Sequence, residues 1–217
     1  MSRGLFALMF IALGALSACA SGPPAPDWSV NAVGHVERFT QAYLNGDARV
    51  AQREFALARA DLARTGRPDL VARAELNRCA LQVASLDFAP CSGFDALAPD
   101  ADPAERAYAR YLAGQASAAD APLLPPAHRA GVPTEGAEPL AGLIGAGVLL
   151  RQGRASPQVV AQAVDAASRQ GWRRPLLAWL GVQQRLAEQG GDAAEAARIG
   201  RRMDLVQPAP AKAEPAR

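Results

Sequence analysis

Residues 156–206, SPQVVAQAVDAASRQGWRRPLLAWLGVQQRLAEQGGDAAEAARIGRRMDLV, decide the fold. Their apolar side chains recur every three or four positions: Val160, Val164 and Ala167, then Leu176, Trp179, Leu180 and Leu186, then Ile199, Met203 and Val206. That period lays them along one stripe of an α-helix, with arginine and glutamine on the opposite faces. Gly171 and Gly190 separate one stripe from the next. The starts are marked too: Ser156-Pro157 is a side-chain acceptor followed by proline at the first helical position, and Asp192-Ala193-Ala194-Glu195 reads as a carboxylate capping box.

The same grammar continues toward the N-terminus. Ala51, Phe55, Ala58 and Leu62 share a face, Asp102-Pro103-Ala104-Glu105 is another capped start with proline, and Gly46, Gly66 and Gly153 punctuate. The spacing predicts eight helices, near 30–45, 47–64, 68–86, 102–115, 136–152, 156–170, 173–189 and 192–206. No stretch alternates long enough for a strand, so the expected fold class is all-α, a helical-hairpin array with no significant sheet.

Composition agrees with this reading. Fifty of the 217 residues are alanine, and half the chain is hydrophobic with only 6% aromatic, so the larger apolar side chains suffice for one helical core. The net charge is +2 and Lys212 is the sole lysine; no basic excess of the kind that marks nucleic-acid binding exists.

Gly46-Asp47 followed by Ala51, Phe55 and Ala58 resembles the second helix of a tetratricopeptide repeat, and Gly191-Asp192, Ala196, Gly200 and Met203 echo its spacing. The first-helix signature of that repeat is missing before Gly46. The resemblance implies tetratricopeptide-like helical pairs around a non-repeating middle.

At the N-terminus, Arg3 precedes an uncharged run from Gly4 to Leu16, too short to span a bilayer and of signal-peptide length. It ends in Leu16-Ser17-Ala18-Cys19, which resembles the lipobox of bacterial lipoproteins. The resemblance implies removal of residues 1–18, lipidation of Cys19, and, with Ala20 rather than aspartate following it, an outer-membrane anchor facing the periplasm. Residues 19–27 then read as a tether, 28–206 as a single periplasmic domain, and 207–217 as a disordered tail.

With Cys19 lipidated, Cys79 and Cys91 are left in an oxidising compartment, where two cysteines usually pair. The chain after the third helix must fold back along it to close that ring, and five residues reach far enough. Their spacing does not resemble a redox Cys-X-X-Cys.

Residues 87–139 hold eight acids against three arginines, whereas 151–205 hold nine arginines against five acids. The proline-bearing stretch near 116–139 reads as an acidic surface loop. In the basic half, Trp172 beside Arg173 and Arg174 is a candidate docking patch, because exposed aromatics and arginines anchor interfaces; Trp179 falls on a core-facing position. Leu140 to Leu150 reads as a central buried helix whose glycines let neighbours approach.

Catalytic signatures are absent: no nucleophile elbow, zinc-protease motif, phosphate-binding loop or dinucleotide fingerprint occurs. His35 and His128 are the only histidines, one in the first helix and one in the loop, and read as surface or partly packed residues. Glu37, Glu54 and Glu75 could supply carboxylate chemistry, and each equally fits an arginine-paired helix face. Asp95, Asp100, Asp102 and Glu105 form the densest acidic cluster, but a helix cap already accounts for the last two. The expected catalytic, metal and cofactor sets are therefore empty. The reading that follows is a scaffold or adaptor anchored in the outer membrane by its N-terminal lipid, with a protein partner in the envelope; a carboxylate-dependent cell-wall enzyme and a carrier of a small apolar or lipid ligand are the alternatives.

Overall fold

The structure, a computed structural model, describes residues 26–129 and 138–207. The expected signal peptide, Cys19, most of the expected tether, the tip of the 116–139 segment and nearly all of the expected tail lie outside the described residues.

Among the described residues there are ten α-helices and no strand. Eight are long: α1 Asp27–Asn45, α2 Ala48–Ala63, α3 Pro68–Ala84, α5 Pro103–Leu112, α7 Pro139–Arg151, α8 Pro157–Gln170, α9 Arg173–Gln189 and α10 Ala193–Val206; α4 Ser92–Asp95 and α6 Pro126–Arg129 are single turns. All eight expected helices exist. Ser156 caps α8, its hydroxyl accepting from the Val159 N–H at 3.3 Å, and Asp192 caps α10 by accepting from the Glu195 N–H at 2.9 Å. At α5 the Glu105 carboxylate reaches back to the Asp102 N–H at 2.9 Å, closing the box expected there.

Two ends fall short. α3 stops before the expected residue 86 because Leu86 turns left-handed at φ 60°, and the following Asp87 N–H bonds back to the Gln82 carbonyl. α5 ends at Leu112 rather than near 115, since Gly114 takes φ 75° and its N–H caps the Tyr111 carbonyl.

The packing departs from a one-dimensional stack. In a stack each helical pair touches only its neighbours; here α3 packs against α1, α2, α5 and α7, and α1 reaches α9. α3 buries residues on nearly every side, from Val71 and Ala72 through Glu75, Leu76 and Cys79 to Val83 and Ala84. Its small residues make this possible, as alanines let neighbouring helices approach closely. α7 is the second central helix, buried from Leu143 to Leu149. A Cβ at Gly147 would lie 2.3 Å from the Val83 carbonyl oxygen, so this glycine sets the α3–α7 approach. Trp179 of α9 is fully buried, and its indole fills the space beside the end of α3.

Cys79 on α3 and Cys91 at the start of α4 are joined by a disulfide, with Cα atoms 5.8 Å apart. The fold-back continues at Gly93. A Cβ there would lie 2.2 Å from a carboxylate oxygen of Glu75, so a larger residue at this point of the strap would require the Glu75 side chain to shift. Glu75 itself is buried, between Arg59 at 3.0 Å and Arg78 at 2.7 Å, and the Arg78 guanidinium lies over the Phe55 ring.

Candidate ligand-binding cleft

The proline-bearing stretch expected to be a surface loop is packed where it is described. Asp120 is buried because Arg110 of α5 pairs with it through both guanidinium arms while Ser117 donates to it from backbone and hydroxyl. Those contacts hold the Asp120 carboxyl well below the usual carboxylate range. Leu124 and His128 are buried as well, which anchors α6 against α5.

His128 sits among aromatics. Its ring centroid lies 5.6 Å from Tyr108 and 5.0 Å from Tyr111, one helical turn apart on α5, and Nδ1 is 3.3 Å from the Tyr111 hydroxyl. Burial lowers the His128 pKa, because the imidazolium would lose its hydration, and pushes the Tyr111 phenol up to about 12. The group is therefore a neutral, stacked cluster. The three-residue spacing of Tyr108 and Tyr111 was visible in the sequence; nothing local indicated that His128 would complete it.

Between α3, α5, the 121–129 segment and α7 lies an open cleft of about 520 Å³. Leu76 and Ala80 of α3, Leu124 and Ile144 form its apolar surface, and Tyr108 lines it from α5. Its acids are engaged: Arg73 donates to Glu105 at 2.6 Å and lies 3.4 Å from Asp102, while Glu105 also holds the α5 cap. The pairing with Glu105 raises the Arg73 pKa. Arg129 lines the opposite wall; its Nε donates to the Leu124 carbonyl at 2.8 Å, and no carboxylate among the described residues pairs with it.

The aromatic and arginine patch of α9 takes another arrangement. Trp172 is buried, 9% exposed, and does not present its ring as the expected exposed anchor. The neighbouring arginines face the α1–α2 turn. The Arg174 guanidinium lies 4.4 Å from the Tyr43 ring centre and its Nε donates to the Tyr43 carbonyl at 2.8 Å; Arg173 reaches Asp47 at 3.3 Å. The contact of α1 with α9 gives both cations partners within the chain. Of the central apolar helix, Ile144 lines the cleft, whereas Leu140 packs only at the margin of the core and Trp179 is sealed inside it.

The remaining candidate carboxylates are dispersed. Glu37 is exposed, and Glu54 lies 2.7 Å from His35 Nδ1 and 2.8 Å from Arg38 Nε, contacts that lower its pKa. His35 Nε2 is 3.9 Å from Asp61. Among the described residues no group of three or more His, Cys, Asp or Glu side chains is arranged to hold a metal ion, and no helix is long and apolar enough to cross a membrane. No family matches the sequence, and neither curated proteins nor solved structures supply a match.

Proposed function

We propose that the chain is an envelope lipoprotein, anchored to the outer membrane through Cys19, whose helical domain binds another envelope component at the α3–α5–α7 cleft. The observation that carries the binding role is the cleft itself: its volume falls within the range of about 300–1,000 Å³ usual for ligand sites, and its surface is mostly apolar. Both acids beside it, Asp102 and Glu105, are held by Arg73 and by the α5 cap, which favours binding over carboxylate catalysis, for which one carboxyl must be free to exchange a proton. A carrier role is the second reading, favoured by the same apolar surface.

Two experiments test the two halves. Palmitate labelling of the Cys19→Ser variant should be lost; undiminished label overturns the anchor. A photo-cross-linking amino acid replacing Leu123, 41% exposed at the rim, should give adducts in intact envelopes that the same probe at Arg169 does not. Identical adduct patterns from the two positions overturn binding at the cleft. Protein adducts identify an adaptor, and lipid adducts identify a carrier.

A further inference from the structure

The cleft separates its charges. On the α3–α5 side, Arg73 offsets Asp102 and Glu105, and the positive end of α5 lies under both acids. That side offers little to a charged ligand. On the other side stands Arg129, fixed through its Nε by the Leu124 carbonyl, with its remaining N–H groups uncommitted to any described carboxylate. Tyr108 adds a phenol that hydrogen-bonds to no described residue and that burial keeps in its neutral, donating form. The stack of His128 on Tyr108 links these donors, because His128 is the residue before Arg129. Apart from Asn77 of α3, the rest of the lining is aliphatic.

Resting on the proposed binding role of the cleft, we infer that its ligand is an aliphatic chain ending in one anionic group, the chain lying against Leu76, Ala80, Leu124 and Ile144 and the anion meeting Arg129 and Tyr108. Apolar burial supplies affinity, and the fork of the guanidinium supplies the preference for a carboxylate or phosphate head. The exposed position of Arg129 leaves that head near solvent while the chain is covered, so the anion keeps part of its hydration.

The test uses the full chain held in amphipol and native mass spectrometry with hexadecanoate, hexadecyl phosphate and hexadecanol. One acid should bind per chain, about tenfold or more tighter than the alcohol, the worth of a charge-assisted hydrogen bond. Whichever acid binds better identifies the head group. Arg129→Gln should erase the preference for acid over alcohol without weakening the alcohol. Ala104→Trp, which fills the cleft from an exposed wall position, should weaken all three. Equal binding of acid and alcohol by the parent chain overturns the inference, as does a loss of both on Arg129→Gln. If none of the three binds while the Leu123 probe still captures a protein, the ligand assignment fails and the binding role of the cleft stands.

Discussion

The indole N–H of Trp179 donates a hydrogen bond to the carbonyl of Ala84, 3.0 Å away and 95 residues earlier in the chain. Ala84 is the last residue of α3, where helix carbonyls lack an intrahelical partner. One side chain therefore fills the core and finishes the end of the central helix.

Trp179→Phe should keep most of the packing and orphan that carbonyl, at a cost of about 1–3 kcal/mol, whereas Trp179→Ala should cost about 3–5 kcal/mol through the cavity it opens. Urea unfolding of the two variants against the parent measures both. Equal stability of parent and phenylalanine variant would show that the hydrogen bond contributes nothing.

Gly147→Ala forces a methyl group against the Val83 backbone carbonyl and should destabilise by about 1–3 kcal/mol, since a helix backbone cannot yield as a side chain can. Gly142, on the same helix, has nothing within 4 Å of its would-be Cβ. Its change to alanine should be neutral or stabilising by up to about 1 kcal/mol. Melting temperatures moving in the same direction for both variants would refute the asymmetry.

Arg174→Ala removes both the stack on Tyr43 and the bond to its carbonyl, and should destabilise by about 1–2 kcal/mol. Arg173→Ala loses a single long contact to a half-exposed Asp47 and should cost less than about 1 kcal/mol. Reversing both to glutamate should lower the melting temperature further, where a pair serving only an external partner would leave it unchanged. Hydrogen exchange in α1 and α2 checks whether the loosening is confined to that hairpin.

His128 gives the domain a pH dependence of defined sign. Its folded pKa lies below the unfolded 6.5, so the folded state binds fewer protons, and the associated stability is fully present above 6.5 and lost as pH falls through the lower folded value. Paired carboxylates such as Glu54 and Glu195 have folded pKa values below 4.5, so their contribution is lost only at lower pH. Between pH 7 and 5 the parent should lose more stability than His128→Phe, measured by thermal unfolding. Parallel curves for the two proteins would remove His128 from the account.

The helices were legible in the sequence because the signals that make them are local: Ser156 with Pro157, Asp192 with Glu195, and the 3.6-residue stripes of α8 to α10. The pairing of Cys79 with Cys91 was legible from their number and the length between them. Closure was not. Nothing near Trp172 signals that Tyr43 will lie under Arg174, since that contact spans 131 residues and depends on where α1 ends up. The 116–129 segment misled for a related reason: prolines predict irregular backbone correctly, but whether such backbone is exposed depends on a distant partner, here Arg110 for Asp120 and two tyrosines for His128.

The contact of the α1–α2 turn with α9 also decides how the domain yields to thermal motion. A linear array frays from both tips, but here the first hairpin is fastened to α9 through Arg173 and Arg174. The last helix has no such fastening. α10 packs on α9, buries only Ala196 and Ile199, and leaves Leu205 86% exposed. Local opening should therefore be one-sided, with protease sensitivity and rapid amide exchange expected first in α10 rather than in the α1–α2 hairpin.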